Sequence, residues 1–161
     1  MTARPGAAAS AASRRDEGAR PAAAPAPRPP RMAAGATLCP SVSGDPRNAP
    51  VIIGVVGEGG VVANLPTPIP LTPGMRARIG GTPEARFRLA GPCAERHCAH
   101  WKDAACSLIG RMQEAVAGFV EPREPGAAVP RCGIRAACRW WVQLGPEACH
   151  TCPHVHYNPS V

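Results

Sequence analysis

The sequence predicts a small, irregular, cysteine-rich α+β fold. Its expected form is a β-hairpin followed by two or three short helices organised around a metal or cluster site, with a disordered N-terminal tail. Three observations carry this. Two β-branched runs, 51–56 and 61–65, are joined by Gly57-Glu58-Gly59-Gly60. Leu108, Ile109, Met112, Ala115, Val116 and Phe119 recur at helical spacing. Seven of the eight cysteines, with all three tryptophans, lie beyond residue 92. The expected organisation is a tail over 1–36, a hairpin with a proline-rich strap over 37–92, and a Cys/Trp/His-rich metal-binding module over 93–161.

Residues 1–36 are built almost wholly of Ala, Pro, Arg, Gly and Ser and contain no Val, Ile, Leu or aromatic residue. Such a segment cannot bury enough apolar surface to offset the entropy of ordering its backbone. The alanines are interrupted by Arg14, Arg15, Asp16, Glu17 and prolines, so no secretory h-region forms. No apolar run reaches the roughly 20 residues of a membrane span. A cytoplasmic protein with no membrane partner is the expectation.

Charge says less than its total suggests. The chain carries a formal +7, but the tail holds six Arg against Asp16 and Glu17, leaving twelve cations against nine acids, or +3, in residues 37–161. That balance gives little ground for nucleic-acid binding through charge alone.

The hairpin comes next. GVVGEGGVV has the glycine density of a phosphate-cradling loop, yet a second strand-like run and LPTPIPLTP follow it, where a dinucleotide motif requires a helix. Pro66, Pro68, Pro70 and Pro73 then impose an extended strap expected to cross the surface. The first helix is expected over 104–120, with Asp103 as N-cap and Glu121-Pro122 as its stop. EPREPGAAVP links it to a second helix over 133–144 with Ile134, Cys138, Trp141 and Val142 on one face, stopped by Gly145-Pro146. A final turn, PEACHTCP, carries the last two cysteines.

The cysteines stand at 39, 93, 98, 106, 132, 138, 149 and 152. They divide into a compact C-terminal set, Cys132, Cys138, Cys149 and Cys152, and a set in which Cys39 must return across the hairpin region to join Cys93, Cys98 and Cys106. Four cysteines with irregular spacing suit iron–sulfur ligation, and Cys39-Pro40 and Cys152-Pro153 have the Cys-Pro form found at the end of the bacterial ferredoxin run. One or two clusters of the four-iron type are the expected cofactor, with all eight cysteines as ligands. Trp101, Trp140 and Trp141 lie between cysteines and are expected to shield the cluster from water. His97, beside Cys98, is the candidate substitute should Cys39 lie too far away. Structural zinc is the alternative, although only Cys149-x2-Cys152 has the knuckle spacing. A disulfide framework or unliganded buried thiols would also account for the residues. His154 and His156 are read as a solvated pair.

No catalytic residues stand out. Glu84, Glu95, Asp103, Glu114 and Glu147 are scattered, and the C-x3-C-x2-C run of radical-generating clusters is absent. The function expected is electron transfer with a protein redox partner, or service as an accessory subunit of a redox enzyme. A zinc-binding interaction module or a redox-sensing nucleic-acid-binding regulator is the alternative.

Overall fold

The computed structural model describes residues 35–155 except 122 and 125. The tail expected over 1–36 thus falls, but for its last two residues, outside the described residues, as does His156. The described chain is α+β: strand β1 (Leu38–Cys39), β2 (Val51–Val56), β3 (Val62–Pro70), helix α1 (Pro73–Ile79), β4 (Phe87–Pro92), the short strands β5 (Trp101–Lys102) and β6 (Ala105–Cys106), then helices α2 (Ser107–Val116), α3 (Arg139–Leu144) and α4 (Pro146–Thr151). Among the described residues no helix is long and apolar enough to cross a membrane.

Strands β1 to β4 form one antiparallel sheet in the order β1-β4-β2-β3. The expected hairpin is β2–β3, and VIIGVV takes a central place because its β-branched side chains suit a strand covered on both faces. The strap does not cross the surface as a separate segment. It is the second half of β3, pairing Ile69 with Ile52 and Pro70 with Val51. Prolines are tolerated there because β3 is an edge strand, where a missing N–H leaves the ladder least disturbed. At the register shift between Ile52 and Gly54 the chains run close. A Cβ at position 54 would stand 2.5 Å from Val62 Cγ1 and 3.0 Å from the Ala63 carbonyl oxygen.

Alternation along β2 and β4 gives the sheet two apolar faces. Ile52 and Leu89 look one way and pack with Leu71 against Met75 and Ile79 of α1. Val51, Ile53 and Ala90 look the other way, where Leu38, Cys106, Ile109, Ile134, Cys138, Trp140, Ala148 and Val155 complete the larger cluster. The cysteine-rich segment therefore shares its core with the sheet. Helix α1 has its signals in order: the Thr72 hydroxyl accepts from the Met75 N–H at 3.2 Å, Pro73 opens the first turn, and Gly80 ends it at φ 65°.

Two helix boundaries differ from expectation. Asp103 is no N-cap. Together with Ala104, at φ 48° and 60°, it forms the left-handed turn between β5 and β6. The first helix of the module consequently begins at Ser107, with Cys106 as N-cap, and ends at Val116 instead of running over 104–120. Phe119, expected on the buried stripe, is 89 % exposed beyond that end.

The second expected helix, 133–144, is broken at Cys138. Its extended backbone (φ −73°, ψ 126°) forms a parallel bridge to Leu38, leaving a single turn at Arg135–Ala137 before α3. The break rotates Trp140 into the core with Ile134 and Cys138 and leaves Val142 64 % exposed, whereas the expected helix put Val142 on one face with Ile134, Cys138 and Trp141. Gly145 ends α3 at φ 59°, and Pro146 then opens α4 where only a turn was expected.

Candidate metal centre

The eight thiols are all free and line two separate pockets, four to each. The first pocket, about 200 Å³, is lined by Cys39, Cys93, Cys98 and Cys106 together with His100, Trp101 and Arg139. Pairing of β1 with β4 closes the long gap between its first two members. Cys39 lies opposite Gly91, and the Cys93 N–H donates to the Thr37 carbonyl at 2.9 Å. Cys98 ends a tight turn in which its N–H donates to the Glu95 carbonyl at 2.7 Å. The β5–β6 hairpin then sets Cys106 opposite Trp101.

Residues without sulfur organise this pocket. The His100 N–H donates to Cys98 Sγ at 3.4 Å, and its Nδ1 lies 2.7 Å from Arg111. Gln143 of α3 holds the Cys106 backbone from both sides: its Oε1 accepts from the Cys106 N–H at 2.9 Å, and its Nε2 donates to the Cys106 carbonyl at 3.0 Å. His97 is exposed and does not line the pocket. His100 does, two residues after a cysteine, a spacing that could have pointed to it. Nothing in the sequence marks Gln143.

The second pocket is narrow, about 20 Å³, or room for little more than one water. Cys132, Cys138, Cys149 and Cys152 line it with Pro40, Ile53, Asn64, Arg135, Trp140 and Trp141. Cys149 and Cys152 share a face because they are three residues apart on α4 and its continuing turn. Cys138 is the N-cap residue of α3, so the Trp140 and Trp141 N–H groups favour its thiolate, although neither reaches hydrogen-bond geometry. Gly133 seats Cys132 by lying flat on β3. Its N–H donates to the Leu65 carbonyl at 3.0 Å, and a Cβ there would be 2.7 Å from the Pro66 carbonyl oxygen.

Burial dominates the thiol electrostatics. It pushes Cys39 up to about 12, against the Ser41 N–H, while Cys93, Cys106 and Cys98 push the same way as burial. It pushes Cys152 up to about 11, with Arg88 opposing. Cys138 and Cys149 are likewise raised by burial, the Arg135 guanidinium opposing at Cys149. At neutral pH these unliganded thiols are neutral.

Each tryptophan carries an arginine on its ring. Arg88 lies 5.2 Å from the Trp140 centroid, Arg135 5.4 Å from that of Trp141, and Arg139 5.0 Å from that of Trp101. Arg139 also pairs with Glu95. Arg88 is buried. Its Nε donates to the Pro40 carbonyl, but its two terminal nitrogens have no nitrogen or oxygen partner. Burial works against its charge, and Cys152, Cys39 and Cys138 work the other way; Arg88 lines neither cysteine pocket but a third, with Glu84. Leaving a guanidinium in such a place costs several kcal/mol unless anions compensate it.

The thiols thus fall into two sets of four, one around a pocket of about 200 Å³ and one around a space of about 20 Å³. Among the described residues, no three Cys, His, Asp or Glu side chains converge as tightly as a single ion requires. A tetrahedral zinc site holds its sulfurs about 3.8 Å apart, from Zn–S bonds near 2.3 Å. Compared with known proteins, the chain matches no family model, no curated protein and no solved structure.

Proposed function

We propose that the chain is an iron–sulfur protein with two four-cysteine sites, serving electron transfer to a protein partner or within a redox enzyme. Cys39, Cys93, Cys98 and Cys106 would hold one cluster; Cys132, Cys138, Cys149 and Cys152 would hold the other only with their walls moved apart, since that pocket as it stands admits little more than one water. The observation that carries this is the sorting of all eight thiols into two pockets of four. A four-iron cluster takes one thiolate per iron, so it accepts ligands more widely spaced than a single zinc ion does. Bound there, such a cluster accepts and returns one electron at a time. The chain supplies the thiolates, the His100 N–H that donates to Cys98 Sγ, and the arginine-capped indoles that limit water. Thiolate chemistry of this kind belongs in a reducing compartment, which we take to be the cytoplasm.

Anaerobic purification, followed by iron, sulfide and zinc analysis on one sample, tests the reading. A brown chromophore bleached by dithionite, with iron and sulfide in equal amounts, is expected. Cys93→Ser and Cys149→Ser should each remove about half of the iron. A colourless protein with stoichiometric zinc would replace electron transfer by a structural or interaction role.

A further inference from the structure

Helix α1 covers only part of the sheet face it packs on. Its seven residues span about 10 Å, whereas β3, with nine, runs about 30 Å. The uncovered part is a groove of about 360 Å³ on the face turned away from the cysteines. Ile52 pairs with Ile69 and Val55 with Phe87, and all four line the groove. Ile69 is 43 % exposed and Val55 42 %, and apolar side chains left open together mark a contact surface. The charged lining residues are Arg78 of α1 and Arg86, both exposed, and no acid lines the groove. Among the described residues neither arginine pairs with a carboxylate: the ion pairs there are Arg47–Asp45 and Arg139–Glu95.

Small-ligand sites run from roughly 300 to 1,000 Å³ and are mostly apolar with a few polar anchors, a description this groove meets. A peptide would bring amide groups that the groove cannot satisfy, because the backbone of β2 is spent on the ladders to β3 and β4 and that of α1 within its own helix. Residues 1–34 of this chain hold six Arg and no Val, Ile, Leu or aromatic residue, so they would meet like charge and fill little. A second copy laid face to face would bring the same two arginines to the same rim. A hydrocarbon chain ending in one carboxylate meets none of these obstacles and gives the guanidinium groups an anion. We propose that the groove binds a fatty carboxylate, its chain lying over Ile52, Val55, Ile69 and Phe87 and its head taken by Arg78 and Arg86. The site lies apart from both cysteine sets and needs no iron–sulfur group.

The test is isothermal titration of the full chain with decanoate, and with decanol and decylammonium as the uncharged and cationic chains. Decanoate should bind once per chain, about tenfold or more tighter than either of the others. Arg78→Gln and Arg86→Gln should each weaken decanoate about tenfold and leave decanol where it was. Ile69→Glu, which sets a carboxylate on the floor of the groove, should weaken decanoate at least as much. Arg96→Gln, in the cysteine-rich segment, should change nothing. On adding decanoate, the methyl resonances of Ile52, Val55 and Ile69 should shift. If Ile69→Glu fails to fold, the two variants at exposed arginines decide alone. No binding of decanoate, binding no tighter than that of decanol, or binding that both arginine variants leave intact would each overturn the assignment. A chain that ignores decanoate but binds a short peptide of alternating leucine and glutamate overturns it in favour of a peptide site.

Discussion

Cys39 and Cys152 give the metal-free chain a distinct alkaline weakness. Their thiols move from an ordinary 9.0 to about 12 and about 11 because the fold favours the neutral form. Stability from this source is complete below pH 9 and is lost as pH rises through the folded values. Urea melts of the metal-free chain should show midpoints falling above pH 9, and Cys39→Ser should flatten part of that slope. Gln143 offers a second test. Its amide bonds both backbone groups of Cys106, and Gln143→Leu leaves the N–H unpaired at a cost of about 1–3 kcal/mol. Denaturant unfolding would measure that loss.

Elements set the sites through contact with the sheet. Ile53 projects from β2 into the larger apolar cluster and lines the second pocket, so Ile53→Ala should cost about 2–5 kcal/mol in urea unfolding. Gly133 is the seam between β3 and the segment bearing Cys132. Gly133→Ala would drive a methyl to 2.5 Å from Pro68 Cδ, and should destabilise the chain by about 1–3 kcal/mol. Iron should then fall at the second site and be kept at the first, as metal analysis in the Cys93→Ser and Cys149→Ser backgrounds would reveal. Phe119, beyond the end of α2, has no such role. Phe119→Ser should shift stability by no more than about 0.5 kcal/mol in the same assay.

Across the whole molecule, legibility followed the range of the interaction. The β2–β3 hairpin and the apolar part of α2 are local patterns, and both could be read from the chain. Strands β1 and β4 could not, since Leu38-Cys39 is too short to show a period and FRLAGP carries a buried arginine that disguises it. Asp103 has the residue type of an N-cap, but the β5–β6 ladder recruited it into a left-handed turn. Cys138 looked helical until its bridge to Leu38 pulled it extended. Helix α1 carries its punctuation in Thr72, Pro73 and Gly80, set among prolines that favour an extended chain. At the centre, cysteine spacing alone divided the thiols into the two sets that line the two pockets. It gave no hint of Gln143, whose importance comes from Cys106, 37 residues away.

The pairing of β1 with β4 also bears on the order of assembly. Three cysteines of the first set lie close together in the chain, but the fourth arrives only after a 53-residue loop has been closed by the sheet that the loop itself builds. Closing so long a loop is an entropic toll that falls before any ligand can be shared. The second set spans residues 132–152 and needs no such lasso. Its pocket nonetheless borrows Pro40 and Ile53, so it too is sealed late. In a half-folded chain both quartets are incomplete, and the finished sheet is the checkpoint at which each set of four thiols is first brought together.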